Sequence, residues 1–180
     1  MNYKCLYCFA RGFEKLLERH IEDHDEKIRL SKQFFNLLAE ADTDKPTPYV
    51  ARDFHALIRE SLDNPDPYKQ QKEKGNQLAL SLYPDLKKKV LQAEDPFNRA
   101  LRYAIAGNIM DYGPANHFNV QQTLRQVEQA RFAIDHSREL KERIAEAKNI
   151  LYIGDNAGEI VMDRLMIETM NHPNVTFAVR

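Results

Sequence analysis

The C-terminal segment 149–180 constrains the fold most, because it places a helical pattern between two short apolar runs. The first run ends at Gly154, and Pro173 separates the helical pattern from the second run. A strand–helix–strand crossover of this kind almost always leaves its two strands parallel. We therefore predict one βαβ unit made of strand 149–153, helix 157–170 and strand 174–179.

Residues 1–148 have the periodicity of helices instead. Apolar residues between Phe9 and Leu38 recur at helical spacing and predict one long first helix. Later helix starts are marked by a capping residue followed by proline, as at Thr47-Pro48, Asp66-Pro67 and Asp95-Pro96. We predict helices near 48–62, 67–82, 85–93 and 96–111, a break at Gly113-Pro114, and helices from Asn119 to about 134 and from Ser137 to about 147.

The fold class is therefore α+β or α/β, with a helical region at 1–148 and the start of an α/β domain at 149–180. Parallel sheets normally have more than two strands and are covered on both faces. Two parallel strands with open edges make a poor final structure. We expect the chain to be part of a longer protein that completes this sheet.

Charge and composition argue against several classes of protein. The chain has 26 Lys plus Arg and 27 Asp plus Glu, a net charge of −1, which gives no reason to expect nucleic acid or an anionic membrane as a partner. It has no apolar run near the roughly 20 residues that span a bilayer, and its first residues, Met-Asn-Tyr-Lys-Cys, lack the apolar region expected of a signal peptide. Two cysteines make no disulfide framework, so we expect a cytoplasmic protein.

Asp155 and Asn156 follow the first predicted strand directly and precede the predicted helix. Ligands of open α/β sheets bind beyond the carboxyl ends of strands, and a helix N-terminus offers N–H groups to an anion. Carboxylate and amide oxygens suit a hard divalent cation. The pair therefore predicts a metal that holds a phosphate, with a further protein ligand from elsewhere. The alternative is an Asx turn that caps helix 157–170.

Four more polar residues accompany this pair. Glu159 and Asp163 share one face of the predicted helix, where Glu159 also suits the helix dipole and Asp163 is expected to be structural. Asn108 and Asp111 continue an apolar helical stripe, so they either line a polar cavity or mark a helix end that emerges into solvent.

Cys5 and Cys8 form a CxxC, and with His20 and His24 they give the spacing C-x2-C-x11-H-x3-H, close to that of a zinc finger. Helical periodicity begins directly after Cys8, which disfavours the hairpin that a finger needs. A redox role, a zinc role and two structural thiols at a helix start all remain open. The non-enzymatic alternative for the chain is a helical binding module with a Cys/His zinc site.

Together these motifs resemble the DUF89 proteins, the damage-control phosphatase family with the ARMT1-like metal-binding domain, and within it the microbial subfamily with a CxxC. The likeness covers essentially all 180 residues. It is carried by Lys4-Cys5-Leu6-Tyr7-Cys8, by Asp66-Pro67-Tyr68 with Lys72 and Asn76, by Ala106-Gly107-Asn108-Ile109-Met110-Asp111-Tyr112-Gly113 and by Gly154-Asp155-Asn156-Ala157-Gly158-Glu159.

The resemblance implies a helical N-terminal region, then a Rossmann-like parallel sheet, and a metal-dependent phosphatase of sugar phosphates or damaged phosphometabolites. Asp155 and Asn156 would ligate Mn²⁺, Mg²⁺, Co²⁺ or Ni²⁺ and serve catalysis. The substrate would lie near Asn108, Asp111, Gly158 and Glu159. Family members continue for roughly another hundred residues, with a third metal-binding Asp and a Lys. We therefore expect a C-terminally truncated chain, whose activity alone is left open.

Overall fold

The computed structural model describes residues 1–109 and 120–179, which form two compact units, Met1–Pro67 and Tyr68–Arg180. The described elements run in the order α1 Tyr3–His20, α2 His24–Glu40, α3 Thr47–Ser61, α4 Lys69–Leu91, α5 Pro96–Ile109, α6 Val120–Gln129, α7 Ser137–Glu146, β1 Ile150–Gly154, α8 Glu159–Met170 and β2 Val175–Val179. Helices thus precede one βαβ unit, as predicted. The predicted domain boundary at 148–149 is a change in element type and does not coincide with the division between the compact units.

The first unit packs α1, α2 and α3 around a cluster of aromatic rings. Phe13 of α1 stacks on Phe34 of α2 with ring centroids 4.3 Å apart, and Phe54 of α3 lies edge-on to Phe34 at 5.4 Å. The prediction of one long first helix was wrong. The chain breaks after His20, and the Asp23 side chain accepts a hydrogen bond from Glu26 N at 2.6 Å, which starts a second helix.

In the second unit, α4 and α5 supply the helices against which the βαβ unit packs. The prediction of two helices at 67–82 and 85–93 was wrong, because α4 continues through Pro84. Its buried positions Ala79, Leu86 and Val90 recur at helical spacing on both sides of this proline, so burial of one stripe holds the helix together. The predicted start of α5 is confirmed, since Asp95 accepts a hydrogen bond from Asn98 N at 3.1 Å.

The predicted βαβ unit is confirmed. β1 and β2 pair in parallel, with Ile150 opposite Val175 and Gly154 opposite Val179. The predicted start of the helix at 157 was two residues too early: residues 155–158 form a loop, and α8 begins at Glu159. The buried side of α8 completes the core of this unit through Val161, Met162, Leu165 and Met166. Within the described residues, no helix is both long and apolar enough to cross a membrane.

Candidate metal and phosphate site

The loop 155–158 joins the carboxyl end of β1 to the start of α8, and glycines permit its shape. Gly158 adopts φ 83°, in the left-handed region that side chains disfavour. A Cβ on Gly154 would lie 2.7 Å from Cζ of Phe177 on the neighbouring strand, so a larger residue does not fit there without displacing that ring. The sequence Gly154-Asp155-Asn156-Ala157-Gly158 therefore folds into a tight loop at the sheet edge.

Buried Glu159 is the centre of the hydrogen bonds that hold this loop. Its Oε2 accepts from Asn156 Nδ2 at 2.9 Å and from the Asn156 backbone N–H at 3.3 Å. Its Oε1 accepts from Asn108 Nδ2, on α5, at 3.0 Å. The structure thus brings together Asn108, Asn156 and Glu159. Asn108 and Glu159 were both predicted to bind substrate. Here they form a hydrogen bond with each other, which helps to hold the loop in place.

Asp155 and Asn156 are both exposed, and Asn156 Nδ2 also donates to Asp155 Oδ2 at 3.2 Å. The carboxylate of Glu159 accepts hydrogen bonds and donates none, so the amide nitrogen of Asn156 must face it. The amide oxygen Oδ1 is therefore directed away from Glu159. The loop exposes one carboxylate and one oriented amide, which are oxygen ligands suited to a hard cation.

The Asx-turn alternative is present only in part. The backbone oxygen of Asn156 accepts from Ile160 N at 3.3 Å, so the main chain of Asn156 helps to close the first turn of α8. Its side chain bonds the Asp155 and Glu159 carboxylates, and the helix N-cap is Gly158, which has no side chain. Helix capping therefore does not account for the amide of Asn156.

Asn76 of α4 contacts the loop 155–158, and this contact was not predicted from the sequence. Its Oδ1 accepts from Gly158 N at 2.6 Å, across 82 residues of chain. The substrate was predicted to lie near Gly158, but the N–H of Gly158 already donates a hydrogen bond within the protein. The only sequence signal for Asn76 was its place in the motif that resembles the microbial subfamily, because nothing local indicates a partner so distant in the chain.

Asp163 was expected to have a structural role, but it lies beside Gly154, the residue that precedes the loop. It is 3% exposed, and its Oδ1 accepts from the Tyr152 hydroxyl at 2.7 Å. Its Oδ2 has no hydrogen-bond partner among the described residues and would lie 3.5 Å from a Cβ on Gly154. Burial, with the nearby charge of Glu159, raises the pKa of Asp163 to about 6.

The charges at this end of the unit favour a cation. α8 buries two carboxylates, Glu159 at 7% and Asp163 at 3% exposure, and neither forms an ion pair within the described residues. Asp155 adds a third carboxylate at the surface. These acids do not themselves form a metal cage: across residues 1–109 and 120–179 no three His, Cys, Asp or Glu side chains are arranged to hold an ion. A cation at Asp155 and Asn156 would need further oxygens from water, substrate or other residues.

Two other groups were predicted from the sequence, Asp111 and the CxxC. Asp111 falls outside the described residues. Cys5 and Cys8 are free thiols in the first turns of α1, where Cys5 is half-buried and accepts from Thr47 Oγ1 at 3.8 Å and Cys8 is exposed. A redox or partial zinc-binding role for these thiols stays a prediction.

The zinc-finger alternative is wrong. Cys5, Cys8 and His20 all lie on α1, which separates Cys5 from His20 by roughly 22 Å at 1.5 Å per residue. One zinc ion, which binds its ligands at about 2.0–2.3 Å, cannot contact both ends of such a helix.

Comparison with known proteins identifies relatives along the whole chain. The sequence profile of the damage-control phosphatase ARMT1-like domain matches residues 1–180. An uncharacterized protein of Methanocaldococcus jannaschii is 30% identical over 172 residues, covering 92% of this chain and 56% of that protein. A damage-control phosphatase of Pyrococcus horikoshii is 29% identical over 170 residues, covering 93% and 58%. One of Archaeoglobus fulgidus is 30% identical over 150 residues, covering 82% and 52%.

A solved structure supports the same relationship. The crystal structure of a DUF89 family protein from P. horikoshii matches with a TM-score of 0.83 at 28% identity, over 99% of this chain and 63% of that one. The chain therefore spans somewhat more than half the length of its curated relatives. The fold, the motifs and these matches agree, and the chain belongs to the damage-control phosphatase ARMT1-like (DUF89) family.

Proposed function

We propose that the protein containing this chain is a divalent-metal-dependent phosphatase, a phosphomonoester hydrolase, of small phosphorylated metabolites. Sugar phosphates and damaged phosphometabolites are the proposed substrates. Family membership supports this class of reaction, and two of the relatives are named damage-control phosphatases. We propose that the protein acts in the cytoplasm and that neither nucleic acid nor a membrane is its partner.

The observation that carries the proposal is the combination of buried acid and exposed oxygen ligands at one sheet edge. Glu159 and Asp163 are buried carboxylates next to the loop, and Asp155 and Asn156 are exposed residues of the loop that carry side-chain oxygens. Buried carboxylates without a charged partner are costly, and a bound cation lowers that cost. Mn²⁺, Mg²⁺, Co²⁺ and Ni²⁺ are the candidates, and the oxygen ligands favour the harder Mn²⁺ and Mg²⁺.

The chain's own residues then have distinct roles. Asp155 and Asn156 would hold the ion, which when bound would neutralise charge on the phosphate oxygens and lower the pKa of a coordinated water. Glu159 fixes the amide of Asn156, and Asn108 fixes Glu159 from α5. None of the described Ser, Cys or His side chains enters this hydrogen-bond network, which favours attack by water over a covalent intermediate.

Phosphate release measures this function directly. We expect the full-length protein that the gene encodes to hydrolyse sugar phosphates with Mn²⁺, Mg²⁺, Co²⁺ or Ni²⁺ present. Asp155→Ala should lower the turnover at least about 100-fold, because it removes a charged metal ligand. The matched control is Asp85→Ala, which removes an exposed aspartate from α4. Equal turnover in Asp155→Ala and Asp85→Ala would exclude the role assigned to Asp155.

A further inference from the structure

Three side-chain contacts fix how α4 lies against α8. At the N-cap of α8, Gly158 N donates to Oδ1 of Asn76, in the first half of α4, at 2.6 Å. Near the end of α8, Glu168 Oε2 accepts from the Tyr83 hydroxyl and from Lys87 Nζ, each at 2.7 Å. Because higher numbers on α4 meet higher numbers on α8, the two helices run in the same direction.

This parallel course extends α4 past the start of α8. The contact with Gly158 is made by Asn76, in the eighth position of a helix that begins at Lys69. The turns of α4 before Asn76 therefore continue beyond the first residue of α8. They reach the side where β1 ends and the loop 155–158 opens.

Lys72 lies on that overhanging part of α4. It is four residues before Asn76, so it shares the same helix face, with the two Cβ atoms roughly 5–6 Å apart. Its side chain is exposed. Lys74, by contrast, is two residues from Asn76, about 200° around the helix, and faces the other way. Of these two lysines, only Lys72 is on the side of the loop.

A phosphate ester needs positive charge at this place. The described side chains around the loop include the carboxylates of Asp155, Glu159 and Asp163, which repel an anion. The Gly158 N–H, a potential phosphate donor, is bonded to Asn76. An ammonium group that approaches from α4 offsets this repulsion and donates charge-assisted hydrogen bonds to phosphate oxygens.

We propose that Lys72 binds the phosphate group of the substrate, which makes α4 one wall of the phosphate site. This inference rests on the proposed function, since it concerns the anion that the same site would hydrolyse. Lys72 acts on the bound anion and takes no part in holding the metal.

The test compares two single-charge changes on one helix. Lys72→Gln and Lys74→Gln are made in the full-length protein, and circular dichroism checks that each variant folds. Inorganic phosphate is the probe, with its dissociation constant measured by calorimetry in the presence of Mn²⁺. The Mn²⁺ affinity, KM and kcat for a sugar phosphate are measured alongside.

We expect Lys72→Gln to weaken phosphate binding and raise KM by about 10-fold or more, the loss typical of one charged hydrogen bond. Its Mn²⁺ affinity should stay within about two-fold. Lys74→Gln should match the unaltered protein in every constant, and Lys72→Arg should recover part of the phosphate affinity because it restores the charge. Equal phosphate affinity in Lys72→Gln and Lys74→Gln, or no phosphate binding at all, would overturn the proposal.

The result separates this inference from the proposed function. Hydrolysis with an unchanged KM in Lys72→Gln would leave the phosphatase intact and reject Lys72. Phosphate binding that depends on Lys72, in a protein that hydrolyses no phosphate ester with any of the metals, would support the anion site and reject the phosphatase.

Discussion

At the scale of the residue, the site is held by hydrogen bonds from asparagine side chains that lie far away in the sequence. Asn108 bonds Glu159 across 51 residues, and Asn76 bonds Gly158 across 82. Each of these bonds satisfies a buried or half-buried polar group that would otherwise destabilise the fold. Their joint consequence is that the backbone and the Asn156 amide are oriented before any ligand arrives.

Asp163 makes the stability of the metal-free protein dependent on pH. Its pKa is raised to about 6 in the folded chain from 3.8, so the folded state binds more protons than the unfolded state between these values. Stability is therefore greatest at low pH within this window and falls as the pH rises towards and past 6. We expect the free energy of unfolding to lose about 1 kcal/mol from this group between pH 5 and pH 7.5.

Urea unfolding at the two pH values measures this effect, with Asp163→Asn as the comparison. The amide does not titrate, so the variant should lack that part of the pH dependence. Asn also preserves an acceptor for the Tyr152 hydroxyl. An identical pH dependence in both proteins would contradict the raised pKa and the charge argument built on it.

The position of a residue could be predicted from the sequence where it depends only on neighbouring residues in the chain. The pair Asp155 and Asn156 could be placed at a sheet edge from a short apolar run and a glycine alone. Asn76 and Tyr152 could not be placed, because their roles depend on which helix packs on which strand. Asp163 was assigned to structure, since helical spacing gives no measure of how completely a carboxylate is buried.

At the scale of the element, close packing of α5 on α8 brings Asn108 to Glu159. A Cβ on Gly107 would lie 3.1 Å from Met162 Cβ and 3.2 Å from Glu159 Cα. Backbone contact at this distance leaves little room for adjustment. The glycine therefore sets the separation of the two helices where the hydrogen bond forms.

We expect Gly107→Ala to destabilise the protein by roughly 1–3 kcal/mol, since overpacking outweighs the better helix propensity of alanine. Gly12→Ala is the control, because a Cβ there meets no atom within 4 Å and the change should stabilise α1 by roughly 0.5–1 kcal/mol. Chemical denaturation followed by circular dichroism measures both. Stabilisation of similar size in the two variants would show that α5 and α8 separate easily.

Element types were easier to predict than element ends. The helices and the parallel βαβ unit follow from periodicity, which burial imposes on the sequence. The break after His20 was missed because apolar spacing continues across it, and the continuation of α4 through Pro84 was missed because tertiary burial overrides the local cost of proline. The periodicity of apolar residues indicates which face of a helix is buried, whereas the positions of helix ends depend on capping residues and on packing.

At the scale of the whole molecule, the described residues cover one face of the sheet. Tyr152 faces α8, whereas Leu151 and Ile153 point the other way and are 63% and 73% exposed. Parallel sheets in α/β proteins are normally covered on both faces. The matched P. horikoshii structure is longer than this chain, which covers 63% of it. Leu151 and Ile153 form an apolar face of the sheet that the described residues leave exposed.

The central claim, that the side chains at 155 and 156 bind a divalent cation, is tested most directly by X-ray anomalous scattering. Crystals of the full-length protein grown with Mn²⁺ are measured on both sides of the manganese absorption edge. The account predicts an anomalous peak about 2.0–2.6 Å from an oxygen of Asp155 and from Oδ1 of Asn156, the range of hard-cation ligands. Saturating Mn²⁺ without a peak there, while the Asn156 amide keeps its bonds to Asp155 and Glu159, would contradict it.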